Sequence, residues 1–260
     1  MSYCVRRGNA MNPEGKFAVV TGGGSGIGQA ITKALRAAGS DVLIVGRNEP
    51  RLNAARGDDS RILTVVADLA NPDDRVRLIE QLSRGRPLDI LVNNAGSMTG
   101  IDLHNPNAQS LVEHDIALDL AAPVHLSIAL LPVLRQRLEA AIVNVSTGLI
   151  YAPLAFNPGY STAKAGLHAF TRSLRRQTRR DSIHVLEVFP PIVDTELTKD
   201  YGGPKIGPEA VGTAVVKALA HGRNELRIGR AKFLYSMSRI VPNGIFSIIN
   251  RAAEKRVLVT

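Results

Sequence analysis

The chain has 260 residues, of which 45% are hydrophobic and 21% charged. This composition excludes a disordered chain, because enough apolar surface is present to offset chain entropy on folding. Tryptophan is absent and aromatic residues make up only 4%, so we expect an aliphatic core. A single cysteine, Cys4, excludes an intrachain disulfide framework and a cysteine-based zinc cluster. The net charge of +9 is compatible with phosphorylated ligands, nucleic acid or an anionic membrane, and does not choose among them.

Short apolar strands alternate with amphipathic helices along the chain. The predicted strands are Phe17–Thr21, Asp41–Val45, Ile62–Ala67, Leu88–Val92, Ala141–Val145, Ile183–Phe189 and Glu225–Ile228. The predicted helices are Ile27–Ala38, one that starts at Asn71, Ala108–Leu134, Ser161–Arg179 and Glu209–His221. Most strands are apolar on both faces, which is typical of sheets covered by helices on both sides. The sequence therefore predicts an α/β fold, a Rossmann-like doubly wound parallel sheet of about seven strands in three α/β/α layers.

One domain is expected to span residues 1–260, with 1–15 flexible and 231–260 as a C-terminal extension. The most apolar run, Ile116–Leu134, is interrupted by an acid, a histidine and two prolines, so no spanning helix is expected. No apolar stretch follows Arg6 and Arg7, which argues against a signal peptide. We therefore expect a soluble, cytoplasmic protein.

A glycine-rich segment, Thr21-Gly-Gly-Gly-Ser-Gly-Ile-Gly28, follows the first strand directly and opens a helix. Glycines let the backbone approach a pyrophosphate, and the helix N-terminus supplies free N–H groups and a positive dipole end. Such a run alone can be only a flexible turn, but its place between strand and helix favours a dinucleotide site. The expected contacts are Gly22, Gly24, Ser25, Gly26, Ile27 and Gly28.

The second strand ends in Val45-Gly-Arg-Asn48, without the acid that binds an adenosine ribose 2′-hydroxyl. Arg47 can instead pair with a 2′-phosphate, which favours NADP(H) over NAD(H). The alternative is that Arg47 is one solvated loop charge among many. Asp68 and its neighbour Leu69 are expected near the adenine, although Asp68 could equally cap the helix that starts near Asn71.

Four motifs together, in their order and spacing, resemble the short-chain dehydrogenase/reductase family. They are Thr21-Gly-x-x-x-Gly26-x-Gly28, Asn93-Asn94-Ala95-Gly96, Ser146-Thr147 and Tyr160-x-x-x-Lys164. The resemblance covers about Lys16 to Ile228, and Ile142–Gly148 with Phe189–Thr195 resembles the DltE-like branch. It implies an oxidoreductase that transfers a hydride between nicotinamide and a carbonyl or alcohol.

Tyr160 and Lys164 lie four residues apart, on one face of a predicted helix. A tyrosine with an ordinary pKa near 10 is a sluggish base near neutrality. The lysine charge is expected to lower that pKa, and the ammonium can also hold the nicotinamide ribose hydroxyls. Tyr-x-x-x-Lys alone is a common accident on helix surfaces, but beside the other motifs it predicts the general acid/base and its partner.

Two positions depart from the family pattern. Thr147 stands where the resemblance implies a serine that binds the substrate oxygen, with Ser146 as a substitute for that role. Asp119 stands where the resemblance implies an asparagine that holds a kinked helix and a proton relay to the lysine. Asp119 is expected to preserve that relay or to lock the site and slow turnover, unless it merely faces solvent.

Two further segments are expected at the cofactor by resemblance. Their candidate contacts are Asn94, Ala95, Gly96, Pro190, Val193 and Thr195. Asn94 is favoured over Asn93, and Pro191 replaces the usual glycine. The six histidines show no metal-ligand spacing, so no metal site is predicted.

The partners expected are a small carbonyl or alcohol substrate and copies of this chain, as a homo-dimer or homo-tetramer. Arg172, Arg175, Arg176 and Arg179 share a helix face that is expected to be solvated or to meet a subunit; nucleic acid is not expected. Ala231–Lys255 predicts a helical hairpin broken at Pro242–Gly244. It is expected to pack on a neighbouring subunit or cover the cleft, the alternative being a weak contact with a membrane surface.

The sequence thus predicts an NADP(H)-dependent oxidoreductase of carbonyls or alcohols. The alternative is a dinucleotide-binding regulatory or scaffold protein that has lost turnover through its changes at Asp119 and Thr147.

Overall fold

The computed structural model describes residues 10–257, with side chains described for residues 10–253. The strands are β1 (Phe17–Thr21), β2 (Asp41–Gly46), β3 (Ile62–Val66), β4 (Ile90–Asn93), β5 (Ala140–Val145), β6 (Ile183–Phe189) and β7 (Glu225–Arg227). The helices are α1 (Gly26–Ala37), α2 (Glu49–Arg56), α3 (Pro72–Arg84), α4 (Ala108–Ile116), α5 (Ala122–Leu134), α6 (Pro158–Gln177), α7 (Pro208–Ala220), α8 (Arg230–Ile240) and α9 (Pro242–Val257). All seven strands are parallel, in the order β3-β2-β1-β4-β5-β6-β7. The predicted doubly wound sheet is confirmed.

Side chains of the central strands alternate between two buried aliphatic clusters. In β1, Ala18 and Val20 join one cluster, whereas Phe17 and Val19 join the other. Helices cover both clusters, which explains why the strand sequences are apolar on both faces. The strand order reverses between β1 and β4, and ligands of such sheets bind at the carboxyl ends beside that point.

The N-terminal segment differs from the expectation that residues 1–15 are flexible. Met11 is buried in the core, and its N–H donates to the Leu219 carbonyl at 3.1 Å. The Ser40 hydroxyl donates to the Pro13 carbonyl at 2.6 Å. The expectation is therefore wrong for residues 10–15, because an apolar side chain and backbone hydrogen bonds hold them against the domain. Residues 1–9, with Cys4, lie outside the described part.

A short helix that the sequence analysis did not predict, α2, follows β2. Asn48 caps it by accepting from the Arg51 N–H at 2.9 Å. Only Leu52 and Ala55 are buried along it, so it lacks the apolar periodicity by which a helix is recognised.

The predicted helix Ala108–Leu134 is interrupted by a π-helical turn, Ala117–Ala121, which separates α4 from α5. In an α-helix the carbonyl of Asp119 would accept from residue 123, which is a proline and has no N–H. By length and hydropathy alone, Ala108–Leu134 is the one described run that could cross a membrane. It packs on α3 and α6 and buries Asp115 and Asp119, which is typical of a core helix.

The C-terminal segment forms two helices, α8 and α9, but the break lies at Val241 and not at Pro242–Gly244, because Pro242 is accommodated in the first turn of α9. The inner side of this helix pair packs on the segment after β5. A Cβ on Gly148 would lie 3.2 Å from the Ala231 Cβ, and the Asn250 amide donates to the Pro153 carbonyl at 2.9 Å.

The arginine-rich end of α6 is only partly exposed. Arg172, Arg176 and Arg179 are exposed, as expected. Arg175 turns inward and donates to the carbonyls of Val185 at 3.1 Å and Asn224 at 2.8 Å. It holds α6 against the sheet edge, so the expectation of one shared surface is wrong for this residue.

Candidate active site

The predicted catalytic side chains meet at the carboxyl ends of β4 and β5. Tyr160 and Lys164 lie one turn apart on α6, with the lysine Nζ 5.8 Å from the centre of the tyrosine ring. Thr147, which follows β5, lies close enough to the Tyr160 hydroxyl to influence its pKa. Asp119 joins them from the π-helical turn, with its Oδ1 3.0 Å from Nζ. All four side chains are buried, so their electrostatic interactions are screened little by water.

Lys164 is held by two oxygens from different elements. Besides pairing with Asp119, its Nζ donates to the Val145 carbonyl at 3.1 Å. Gly96 lies against this ion pair, since a Cβ on Gly96 would be 2.5 Å from Asp119 Oδ1 and 3.5 Å from Lys164 Nζ. A glycine is thus required for the β4 loop to pass this close. Asp119 does not face solvent, so the solvent-facing interpretation of this residue is wrong.

A second buried carboxylate, missed by the sequence analysis, stands one helical turn before Asp119. Asp115 Oδ1 accepts from the Ser97 hydroxyl at 2.6 Å, and the Ser97 N–H donates to Asp119 Oδ2 at 2.9 Å. Asp115 Oδ2 faces the start of α6, where a Cβ on Gly159 would lie 2.8 Å away. Helix N-termini stabilise negative charge, which accounts for a carboxylate there. In the sequence, only the four-residue spacing of Asp115 and Asp119 indicated that the two acids share one face of the helix.

The protonation of Tyr160 differs from the expectation. Burial raises its pKa above the usual value, and the Asp119 carboxylate raises it further, while the Thr147 side chain opposes the rise. The lysine charge that was expected to lower this pKa is paired with Asp119. Burial also raises the pKa of Asp119 itself, and the Lys164 ammonium opposes that rise. Tyr160 is therefore held as the neutral phenol.

The two hydroxyls after β5 have different surroundings. Thr147 reaches Tyr160 and also accepts from the Leu149 N–H at 3.2 Å. Ser146 is buried, and its hydroxyl has no hydrogen-bond partner within the described residues. Thr147 therefore lies next to Tyr160. The hydroxyl of Ser146, the preceding residue, can still donate and accept a hydrogen bond.

The glycine-rich turn has the shape of a phosphate cradle. A Cβ on Gly28 would lie 2.2 Å from the Gly22 carbonyl, and one on Gly22, at φ +64°, would lie 2.9 Å from the Ala95 Cα. Ser25 is the N-cap of α1 but makes no side-chain capping bond, and the first turn carries no acid. Uncapped N–H groups beside close-packed glycines suit an anion, so these residues fit the pyrophosphate of a dinucleotide.

The β4 loop fixes this cradle. The Asn94 amide donates to the Thr21 carbonyl at 3.0 Å, and the Ala95 N–H donates to the Thr21 hydroxyl at 3.0 Å. Asn93 instead points into the core, where its amide donates to Asn144 at 2.8 Å. Asn94 thus lies beside the predicted cofactor site, while Asn93 joins β4 to β5.

The ends of β2 and β3 carry the predicted adenosine contacts. Arg47 is exposed directly after β2, immediately before the α2 cap. Asp68 does not cap α3, since Asn71 does so by accepting from the Asp73 N–H at 2.8 Å. Asp68 instead accepts from the Ala70 N–H. The Leu69 side chain is buried in the core, which leaves only its backbone for a ligand.

The segment after β6 approaches the glycine-rich turn. A Cβ on Gly26 would lie 3.0 Å from Thr195 Cγ2. Val193 is buried and pairs with Ile206, and the Pro190 carbonyl accepts from the Gly148 N–H at 3.4 Å. Thr195 is therefore next to the cradle, and Pro190 is tied to the loop that carries Thr147.

Comparison with known proteins decides the family. The short chain dehydrogenase family model matches residues 16–204. The chain belongs to the short-chain dehydrogenase family. It is similar to the uncharacterized oxidoreductase DltE of Bacillus subtilis, with 37% identity over 242 residues, 89% of this chain and 95% of that protein. It is also similar to the uncharacterized oxidoreductase SERP2049 of Staphylococcus epidermidis, with 33% identity over 211 residues, 78% of this chain and 90% of that protein.

Solved short-chain dehydrogenases share the fold. One from Burkholderia cenocepacia, in complex with NADP, is 26% identical with a TM-score of 0.80, covering 91% of this chain and 98% of that one. A serine dehydrogenase complexed with NADP+ is 25% identical with a TM-score of 0.74, covering 82% and 94%. The predicted family and its DltE-like branch are confirmed. This short-chain dehydrogenase is an NAD(P)-dependent oxidoreductase.

Proposed function

We propose that this short-chain dehydrogenase uses NADP(H) to interconvert a carbonyl and an alcohol, with Tyr160 as the general acid/base. The observation that carries the proposal is the buried grouping of Tyr160, Thr147, Lys164 and Asp119 at the carboxyl end of the sheet, with the Lys164 Nζ 5.8 Å from the centre of the Tyr160 ring and 3.0 Å from Asp119 Oδ1. When bound, the nicotinamide gives or takes the hydride. The chain has to place the substrate oxygen and move one proton.

In the reducing direction, Tyr160 donates its proton to the oxygen that becomes the alcohol. The raised pKa of Tyr160 keeps that proton in place near neutral pH until negative charge develops on the substrate oxygen. Thr147 orients the same oxygen through its hydroxyl, and Ser146 offers a second hydroxyl. Lys164 stabilises the phenolate that remains, because its ammonium is fixed near the ring by Asp119 and the Val145 carbonyl.

The proposed cofactor contacts follow the geometry of the cradle. The backbone of Gly22–Gly28 and the α1 N-terminus would hold the pyrophosphate, with Asn94, Ala95, Gly96, Pro190, Val193 and Thr195 lining the nicotinamide side. Arg47 carries the proposed preference for NADP(H), since its exposed guanidinium at the end of β2 can pair with a 2′-phosphate. Two solved relatives with bound NADP support the cofactor class.

The proposed assembly is a cytoplasmic homo-dimer or homo-tetramer, as the family resemblance implies. One observation supports a protein contact on α6, where Arg172 and Arg176 are exposed on one face of the helix. Acidic side chains of another copy would suit these two arginines.

Replacing Tyr160 by phenylalanine tests the proton-transfer role. Tyr160→Phe keeps the ring and removes the hydroxyl, so NADPH affinity should stay while carbonyl reduction falls at least about 100-fold. Calorimetry measures the binding, and NADPH oxidation over a panel of aldehydes and ketones measures the rate. The matched control is Tyr235→Phe on α8, which should keep both. Full activity of Tyr160→Phe contradicts the proposal, and a wild type that binds NADPH but turns over nothing favours the regulatory or scaffold alternative.

A further inference from the structure

The C-terminal helix pair (Arg230–Val257) exposes more apolar side chain than its packing explains. Ile240 is 73% exposed, Ile248 64% and Phe233 59%, and Val241 and Phe246 are also exposed. Soluble surfaces carry scattered apolar residues, but five large ones within one helix pair form an interaction surface. On α8, Phe233 and Ile240 are seven residues apart and therefore share a face that ends at the turn.

The opposite side of the helix pair already has its partner. Ala231 and Ile245 are buried, and Leu234 lies against Gly148, 3.4 Å from where a Cβ would be. Asn250 bonds to both the Pro153 carbonyl and the Ala155 N–H. Because these contacts hold the inner side against the segment after β5, Phe233 and Ile240 of α8 are left on the outer side.

From residue 230 to residue 253 every charged residue of the helix pair is basic, and α9 then continues through Glu254, Lys255 and Arg256. Between residues 230 and 253 the sequence has Arg230, Lys232, Arg239 and Arg251, and no aspartate or glutamate. All four side chains are exposed. Lys232 directly precedes Phe233 and Arg239 directly precedes Ile240, so basic groups flank the apolar ones. Long basic side chains beside exposed apolar residues are typical of helices that lie in a membrane interface.

We propose that the C-terminal helix pair docks this protein on an anionic phospholipid bilayer. The apolar side chains would enter the headgroup boundary, while the four basic side chains meet lipid phosphates. A second copy that met residues 230–253 through its own equivalent residues would bring basic groups together, because that stretch contains four basic residues and no acidic one. Charge complementarity therefore favours the bilayer over such a contact. The docking is independent of the proposed reaction.

Vesicle sedimentation tests the docking directly. The full chain is mixed with sucrose-loaded vesicles of phosphatidylcholine alone or with phosphatidylglycerol added, at low and high salt. We expect pelleting only with the anionic vesicles, and less of it at high salt. Each basic side chain near an anionic surface strengthens binding about fivefold. Lys232→Gln with Arg239→Gln should therefore weaken binding about 25-fold.

Matched variants separate docking from general charge and general stickiness. Phe233→Ser with Ile240→Ser should abolish pelleting, whereas Ile128→Ser, an exposed apolar residue on α5, should not. Arg56→Gln with Arg84→Gln removes two exposed charges elsewhere and should weaken binding less than twofold. Melting temperature and NADPH binding, which needs no turnover, confirm that each variant is folded.

Three results would overturn the proposal. The first is pelleting that does not depend on phosphatidylglycerol. The second is equal weakening by the control variants. The third is a wild-type oligomer, measured by analytical ultracentrifugation, that Phe233→Ser with Ile240→Ser dissociates while vesicle binding stays unchanged, since the surface would then join copies of this chain.

Discussion

Replacing Asp119 by asparagine tests how far a buried charge sets the proton affinity of Tyr160. Asp119→Asn keeps the size of the side chain and an oxygen for the Ser97 N–H, but removes the negative charge 3.0 Å from the Lys164 ammonium. That charge raises the pKa of Tyr160, second only to burial. In the variant the lysine charge is no longer matched, so the phenolate gains stability and the pKa of Tyr160 falls.

The size of the shift follows from two distances. Asp119 Oδ1 lies 3.0 Å from Lys164 Nζ, which lies 5.8 Å from the centre of the Tyr160 ring. The carboxylate is thus within about 9 Å of the ring, where two unit charges interact by about 2 kcal/mol at an effective dielectric constant of about 20. Since one pKa unit corresponds to about 1.4 kcal/mol, the pKa of Tyr160 should fall by roughly one unit.

The assay is the pH dependence of kcat/KM in both directions. Alcohol oxidation needs the phenolate, so its rate rises with pH through the pKa of Tyr160. Carbonyl reduction needs the phenol, so its rate falls with pH through the same pKa. Because Asp119→Asn lowers that pKa, both limbs should move to lower pH by roughly one unit. NADPH affinity and melting temperature, measured on the same samples, separate this effect from loss of the fold.

Asp115→Asn is the matched control for this variant. Asp115 is equally buried and shares Ser97, and it also raises the pKa of Tyr160, but less than Asp119 does. Asp115→Asn should therefore shift the pH profiles of kcat/KM less than Asp119→Asn does. Unmoved limbs in Asp119→Asn would show that Asp119 is already neutral in the folded protein, and limbs moved to higher pH would contradict the sign. Either result refutes the charge argument.

Two further changes test the cofactor assignment and the N-terminal segment. Arg47→Ala should raise the calorimetric Kd for NADPH about 10- to 100-fold, because a charge-assisted bond to the 2′-phosphate is lost, while the Kd for NADH stays within about twofold. Arg56→Ala, at the far end of the following helix α2, should change neither Kd, and equal losses of affinity for both cofactors would contradict the assignment. Met11→Ala should lower the free energy of unfolding in urea by about 2–5 kcal/mol, because it leaves a cavity in the core. Met237 is only partly buried, so Met237→Ala should lower the free energy of unfolding by less. An unchanged free energy of unfolding in Met11→Ala would show that the N-terminal segment is not packed against the domain.

Most of the strands were predictable because they are largely apolar runs bounded by turn residues. Ile183–Phe189 has the same bounds in the sequence prediction and in the structure, and Phe17–Thr21 does too. α2 was not predictable, because Glu49–Arg56 buries only two side chains and folds locally around the cap of Asn48. Met11 was missed for the opposite reason, since an isolated apolar residue near a terminus has no period to reveal it.

The proposed catalytic residues show the same division between what the sequence displays and what it does not. Tyr160 and Lys164 are placed by helical spacing, which the sequence displays directly. The bond from Ser97 to Asp115 joins residues 18 positions apart on different elements, and no local pattern encodes it. The π-helical turn was visible in the sequence. Pro123 has no backbone N–H, so it cannot donate to the Asp119 carbonyl as residue 123 would in a regular α-helix. A π-turn inside a helix often marks a functional site, so the proline is informative once that site is suspected.

The wrong prediction for the pKa of Tyr160 bears on the direction of the reaction. Burial and Asp119 both favour the protonated phenol, and Lys164 is paired rather than free to oppose them. A tyrosine that starts protonated can give its proton to a carbonyl oxygen, but must first lose it before it can accept one from an alcohol. With Tyr160 as the proposed acid/base, we therefore expect alcohol oxidation to need a higher pH than carbonyl reduction. In the Asp119→Asn assays, the ratio of oxidation to reduction at neutral pH should rise, because the same charge that holds the proton also sets this pH difference.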